Sequence, residues 1–549
     1  MATTEPQVEF PIPADMQQGF WQWDKMHGPR PLTPLTQEVF LGAVTRGFTA
    51  AMEEFGCPLG FAYRPVNYYG YAALYPLDLG GQTIEERIGQ YRATMARVLP
   101  NIGELWEKEW LPSMLPGLER ARTTDYASLS DDELLDLFNQ LCEDQVGRYR
   151  VHGKINFVTV SASEFADFYN AKLQPEDPTE PYHALQGFPS KSLDAGCGLW
   201  RLRGLIQASL PLTALFTGSE PEQILAALNG SQEGRAFLTE LRDYLDEFGW
   251  RADAFDMTEP SWREDPRIPL NTLQGYLALG DDADPDVRYQ ASIAQRERLL
   301  AAARARLASN AEDLAEFERL YNCARWYLTI TENHNYYIDQ IGDTVMRLPA
   351  LELGRRLVRR GGLDQPQDIF YLFRSEIAEA MHGAVQRELV AQRQAELQHF
   401  SQIIPVPVIG APPPPDAPMD PFALALMKMF GVPPEPSRDT DVIAGIPASR
   451  GTVKARVKVV RNLTEASKIE PGDVLVCEMT MPPWTPLFST VSAVVADTGG
   501  VLSHCAIVSR EYGLPCVVGT IVGTSVLKDG MAVTVDGTKG VVRIESRTA

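Results

Sequence analysis

The 549-residue chain is poor in cysteine and poor in positive charge. Its seven cysteines, Cys57, Cys142, Cys197, Cys323, Cys477, Cys505 and Cys516, are odd in number, widely scattered and without a C-x-x-C pair. Neither a disulfide framework nor a zinc knuckle is indicated, a reducing compartment fits best, and no protein-bound metal is expected. Fifty Lys+Arg stand against 72 Asp+Glu, a formal charge of -22. Such a surface repels phosphate backbones and anionic headgroups, which argues against nucleic acid and membranes as partners. Long apolar runs are missing too, and MATTEPQVEFPIPADM has no basic segment leading into an apolar one. No membrane span and no export signal are expected, and a cytoplasmic location follows. Also missing is a Gly-rich, Lys-containing phosphate loop.

What is present is ordinary globular material, 44% hydrophobic and 22% charged, enough for two to four domains at roughly 150 residues each. The charge is uneven: residues 441–549 sum to +1, leaving -23 on the first 440. The first 400 residues have helical periodicity. Ser130-Asp-Asp-Glu133 is a capping box opening a helix with Leu134, Leu135, Phe138, Leu141 and Cys142 on one face. Asp284-Pro285 is a second start, and the Ala-, Arg- and Leu-rich stretch after it runs to Gly361-Gly362. Between 404 and 440 the pattern collapses into VPVIGAPPPPDAP and GVPPEP, read as a stiff, extended spacer. Beyond it the period changes to two, with Val453, Ala455, Val457 and Val459 alternating with Lys454, Arg456 and Lys458. The expected fold is multidomain: a large, mostly α-helical substrate domain (1–403), a Pro-rich linker (404–440) and a mixed α/β domain (441–549).

The most informative stretch is Thr498-Gly-Gly-Val-Leu-Ser-His504-Cys-Ala-Ile-Val-Ser-Arg-Glu511-Tyr-Gly-Leu-Pro-Cys-Val-Val-Gly519. A strand ending at Asp497 meets a glycine turn, Gly499-Gly500, and a helix begins near Ser503 with His504 in its first turn. Free N–H groups and the positive end of the helix dipole would stabilise an anion held there. The same dipole disfavours imidazolium, keeping the ring neutral and nucleophilic.

This segment resembles the phosphohistidine, or swivelling, domain of the phosphoenolpyruvate synthase and pyruvate phosphate dikinase family. The resemblance extends to Gly472-Asp-Val-Leu-Val, Met479-Thr-Met-Pro-Pro-Trp484-Thr-Pro-Leu-Phe488, Lys528-Asp-Gly and Val535-Asp-Gly; Cys505 replaces the usual small Ala. It implies that His504 takes a phosphoryl group, in most members from ATP with Mg²⁺, and carries it to a second site; Thr498, Gly499, Gly500 and Ser503 would cradle it. Trp23-Asp24-Lys-Met-His27-Gly-Pro29-Arg30, Phe248-Gly-Trp250-Arg251, Pro260-Ser-Trp262 and Arg359–Leu372 look like substrate-domain segments of the rifampin phosphotransferase and phenylphosphate synthase branch. Residues 1–40 already resemble the middle of the longer members and the chain stops just after Val542-Arg-Ile. A separate ATP-grasp subunit is therefore expected to bind ATP and Mg²⁺, and no phosphoenolpyruvate barrel is expected.

For the substrate pocket, Thr331-Glu-Asn-His334-Asn-Tyr-Tyr-Ile-Asp-Gln340 reads as helix, with Glu332, Asn335, Tyr336 and Asp339 on one stripe and His334, Ile338, Ile341 and Val345 on another. His334 or Glu332, with His27 in competition, would be the general base for an attacking hydroxyl; a buried core role for His334 fits the spacing equally. Arg30 and Arg251 could clamp a phosphoryl group, or pair with Asp24 or Asp253. Trp23, Asp24, Glu332, Tyr336 and Tyr337 would contact a small organic hydroxyl compound. The expected activity is a phosphotransferase subunit acting on such a compound. Rival readings are a ligand-binding or regulatory protein that kept the fold, and an enzyme for which the phosphorylated substrate is only an intermediate.

Overall fold

A computed structural model describes residues 10–412, 427, 434, 437 and 439–546. Most of the spacer read from the prolines, including Pro413 to Pro415, lies outside the described residues. Its first part does not. Val408–Gly410 is a strand pairing antiparallel with Phe20–Gln22, because extended, proline-flanked backbone serves well at a sheet edge. It completes a four-stranded sheet with β1 (Phe20–Trp23), β2 (Leu59–Val66) and β3 (Tyr69–Pro76), in the order β2-β3-β1-β4, β4 being Val408–Gly410. The β2–β3 hairpin turns on Asn67 and Tyr68, both at positive φ (50° and 69°), the backbone that a tight two-residue hairpin demands. Helical periodicity alone misses this sheet, although YGYAALY alternates as a strand should.

The rest of the N-terminal part is helical. Its long members are α1 (Gly42–Phe55), α2 (Asp131–Val158), α3 (Val160–Leu173), α4 (Pro285–Leu307), α5 (Ala311–His334) and α6 (Ile341–Arg359). The capping box forms: Glu133 N–H donates to Ser130 Oγ (3.3 Å) and Ser130 N–H to the Glu133 carboxylate (2.8 Å). Asp284 likewise caps α4 through Asp286 N–H (2.9 Å). Gly361, at φ 78°, ends α6. Between α5 and α6 the chain neither breaks nor stays α-helical: Asn335–Gln340 is a π-helical turn, and the functional geometry depends on it.

The C-terminal part is a mixed eight-stranded sheet ordered β5-β12-β11-β7-β8-β9-β10-β6. Here β5 is Val442–Ala444, β6 Ile446–Ser449, β7 Thr452–Val459, β8 Val474–Cys477, β9 Ala493–Ala496, β10 Cys516–Val518, β11 Ala532–Asp536 and β12 Val541–Ser546. The central β7-β8-β9-β10 run is parallel and the flanking pairs antiparallel. Strands β8, β9 and β10 are buried along their whole length, as expected of parallel strands covered on both faces. One helix, α7 (His504–Glu511), follows β9.

The two parts share core. Leu502 and Ile507 pack with Leu185 and Leu328 of the helical part, while Leu199, Leu202 and Tyr276 pack with Trp484, Phe488 and Tyr512. Polar contacts tie the same seam: Tyr276 Oη donates to Pro486 O (2.9 Å), Leu463 N–H to Asp253 (2.8 Å), and Lys25 pairs with Glu478.

Candidate functional site

His504 is placed by the strand-to-helix turn. Below it, the Asp497 carboxylate accepts from Thr520 Oγ1 (2.8 Å) and Thr524 N–H (3.1 Å), pinning the end of the strand. Thr498 donates both its N–H and its hydroxyl to Glu478 O (2.9 Å each). Gly499 has φ +101°, and a Cβ there would lie 2.8 Å from Ser503 Oγ, so only glycine fits. Gly500 O accepts from Ser503 N–H (3.0 Å) and Ser503 Oγ–H (2.8 Å), while Ser503 Oγ accepts from Ala506 N–H (3.4 Å). Thr498, Gly499, Gly500 and Ser503 thus build the turn. His504 opens α7, where the first N–H groups have no helical partner and the dipole is positive.

The ring faces the helical part. His504 Nδ1 lies 3.3 Å from Glu332 Oε2, and both side chains are buried, at 8% and 7% exposure. On the other side, Nε2 lies 3.4 Å from Thr485 Oγ1. A pocket of about 570 Å³ opens beside them, lined by Leu193, Tyr289, Leu328, Glu332, Thr485 and Glu511 among others. Glu511 accepts from Gly187 N–H (3.0 and 3.2 Å) and Ser292 Oγ (3.2 Å). Burial, reinforced by the charge of Glu332, pushes its carboxyl up to about 7. Arg510 donates to Ala448 O (2.8 Å) and Val501 O (2.9 Å) and stacks on Tyr182; burial brings it down to about 10.

Of the remaining sequence candidates, His27 lies within electrostatic reach of Asp339, and the others occupy separate places. His27 Nδ1 is 2.6 Å from Asp24 Oδ2, which also accepts from Tyr63 Oη, and the ring meets Phe255 edge-on at 5.0 Å. Against the pull of burial, the pair's attraction holds Asp24 below and His27 above their ordinary values. Trp23 donates Nε1–H to Gly28 O (3.0 Å). Arg30 is exposed and faces Glu259 at 3.7 Å. Arg251 is fully buried, donates to Lys191 O (3.3 Å) and lies 5.6 Å from the rings of both Phe248 and Trp262. These contacts join neither arginine to His504, to the other arginine, or to Asp24 or Asp253. Tyr336 donates to Glu247 O (2.7 Å) and packs in the core, with Tyr337 against it at 4.9 Å.

The two stripes expected on one continuous helix do not form, and the π turn is the reason. In an α-helix, residues five apart diverge by about 140° around the axis. The wider turn at Asn335–Gln340 instead brings Asp339 beneath His334, with Asp339 Oδ2 3.8 Å from His334 Nε2. Glu332, before the turn, is left facing His504. His334 is buried against His152, ring centroids 4.5 Å apart, and burial pushes it down to about 4 and Asp339 up to about 7. His152 was not singled out from the sequence. A signal existed: Gln145, Arg148, Tyr149, His152 and Asn156 recur at helical spacing on α2, and the burial of all but the half-buried His152 makes that face a polar stripe turned inward. Thr485 and Glu511 sat inside quoted motifs without assigned roles.

Residues 157–332 match the family described as rifampicin phosphotransferase fourth domain, and residues 469–540 match the PEP-utilising enzyme, mobile domain. The first match ends at Glu332 and the second contains His504. The chain is 32% identical over 98% of its length to chondramide synthase cmdD of Chondromyces crocatus, covering 14% of that protein. It is 29% identical over 96% of its length to the protein named uncharacterized phosphotransferase YvkC of Bacillus subtilis, covering 62% of it. A stretch of 102 residues is 54% identical to phosphoenolpyruvate synthase of Aeropyrum pernix, 18% of this chain and 12% of that one. The chain thus spans only part of the curated relatives it matches. Among the described residues no helix is long and apolar enough to cross a membrane. The chain therefore joins a segment that matches a rifampicin phosphotransferase fourth domain to one that matches a PEP-utilising enzyme, mobile domain, a combination consistent with the rifampin phosphotransferase branch.

Proposed function

We propose that this chain is a phosphotransferase component in which His504 receives a phosphoryl group and delivers it to the hydroxyl of a small organic acceptor. The observation that carries the reading is the buried Glu332–His504 pair, 3.3 Å apart, which joins the two matched domains beside a pocket of about 570 Å³. A carboxylate at Nδ1 favours the tautomer with its proton there, leaving the Nε2 lone pair to bond phosphorus. The start of α7 offers unpaired N–H groups and a positive dipole to the phosphoryl oxygens. In delivery the N–P bond breaks and an O–P bond forms, while the acceptor's hydroxyl proton passes to a carboxylate. Glu332 and Glu511 both line the pocket and are the groups placed to take it. The lining is apolar apart from these carboxylates and a few hydroxyls, which suits an apolar or aromatic acceptor, possible phenols included.

Phosphotransferases of this kind draw on ATP and Mg²⁺. A triphosphate does not fit beside His504: the side chains meeting its ring nitrogens are a carboxylate and a hydroxyl, and no lysine or arginine lines the pocket. Phosphoryl transfer from ATP needs donors and a cation around the phosphates. We therefore assign the ATP half-reaction to a separate ATP-grasp subunit. The test is labelling with [β-³²P]ATP. The pure chain should stay unlabelled, and adding an ATP-grasp subunit should give a label stable in alkali and lost in acid, with AMP as co-product. Rapid labelling of the chain alone would overturn the split arrangement. A label on another residue would overturn the role of His504.

A further inference from the structure

We infer that His152, His334 and Asp339 form a binding site for a divalent transition-metal ion, at the edge of a second pocket distinct from the one beside His504. The three residues come from the middle of α2, the last position of α5 and the π turn. His152 Nδ1 lies 3.9 Å from Asp339 Oδ1 and His334 Nε2 lies 3.8 Å from Asp339 Oδ2. One donor atom from each residue lies within 4.8 Å of the other two. Donors about 2.1 Å from a shared ion are roughly 3.0–3.5 Å apart, so side-chain shifts of about half an ångström close the site. Two imidazoles and one carboxylate are a donor set suited to zinc or ferrous iron, with positions left open for an exogenous ligand.

An ordinary polar core is the competing explanation, and the hydrogen bonding speaks against it. Such clusters persist because their members satisfy one another. Among the described residues, His152 Nδ1 is buried without a hydrogen-bond partner, and the Asp339 carboxylate meets the two imidazoles only at 3.8–3.9 Å, beyond hydrogen-bond reach. The side chain of Gln340, itself 6% exposed, is unpartnered at both its oxygen and its nitrogen. Leaving such groups unsatisfied is costly. A cation bound by His152, His334 and Asp339 satisfies two of the three groups, and the third, Gln340, lines the same pocket as Asp339. Behind them Asp343 is held by Gln145 Nε2 (2.6 Å) and Tyr149 Oη (3.0 Å).

The site has an approach. Asp339, Gln340 and Asp343 line a pocket of about 500 Å³ whose other side is Met481, Pro482 and Pro483 of the mobile domain. Those residues lead directly to Thr485, which meets His504 Nε2. The metal therefore stands on the helical side of the same inter-domain seam, where an oxygen-bearing small molecule could ligate it.

The experiment uses the full chain stripped with EDTA and titrated with Co²⁺, whose visible d–d absorption reports coordination by nitrogen and oxygen. Saturation at one ion per chain, with displacement by Zn²⁺, is expected. The near-isosteric variants His152→Gln and Asp339→Asn should each lose the band while keeping the circular dichroism of the parent. Absence of a saturable band in the unsubstituted chain overturns the proposal whatever the variants do. A band that survives in the double variant overturns the location. In His504→Ala the band should persist, which separates failure of this site from failure of the phosphohistidine reading.

Discussion

His504 and His334 make an instructive pair. Each is buried and each has a carboxylate nearby, Glu332 at 3.3 Å and Asp339 at 3.8 Å. His504 opens its helix, so the turn before it and the dipole behind it already specify an anion site before any tertiary contact forms. His334 lies where α5 runs without a break into the π turn, so no helix end acts on it, and the π turn is what brings its carboxylate neighbour, Asp339, beneath it. The difference teaches that a register change can split one sequence stretch between two neighbourhoods: Glu332 faces His504, and His334 faces His152 and Asp339.

The comparison breaks most sharply on His504→Ala. Removal of the only ring at the start of α7 should abolish the acid-labile label entirely, measured with an ATP-grasp subunit present. If the label survives there, His504 is not the acceptor and the contrast between the two histidines collapses.

Glu332→Gln sharpens it next. The amide can still sit against His504 but cannot take a proton, so labelling of His504 should stay near the parent level while discharge to acceptor falls by ~100-fold. Equal loss in both half-reactions would mean that Glu332 only positions the ring. No loss in either would remove Glu332 from the site.

The smallest expected effect concerns Glu511, which lies within the electrostatic reach of Glu332. Burial raises its folded-state carboxyl to about 7, above its value in an unfolded chain. Between those values the folded state binds more protons than the unfolded one, so this group's contribution makes stability fall as pH rises through that window. At full ionisation the cost is on the order of 3 kcal/mol. Glu511→Gln, which can keep accepting from Gly187 and Ser292, should raise the urea midpoint at about pH 8 and leave it little changed near about pH 4.5. An equal effect at both pH values would show that packing, and not ionisation, is what the substitution alters.

Much of the mobile domain was legible in the residues alone, because its determinants are local. Alternation along Val453–Val459, the glycine at positive φ, the serine cap and the histidine one position later are near neighbours in the chain, and backbone sterics and helix-end chemistry act over that range. The capping box at Ser130 and the proline start at Pro285 belong to the same class. The hairpin at Asn67-Tyr68 carried its alternation too, but a search for helical period passed over it. Arg30 and Arg251 show the limit for single residues: an arginine's chemistry suits a phosphate, yet its partner is set by packing, which gave Arg30 to Glu259 and buried Arg251 among aromatic rings.

Only the tertiary structure decided which carboxylate meets which histidine. The π turn costs backbone regularity that no propensity scale reports, and it packs against α2, where His152 meets His334 and Asp339. Rotation of Asp339 under His334 follows from that one extra residue per turn, as does release of Glu332 toward His504 across 172 residues of chain. The residue types around His504 carry the match to a PEP-utilising enzyme, mobile domain; the seam between the two domains, where buried side chains from distant segments must satisfy one another, selected its partners.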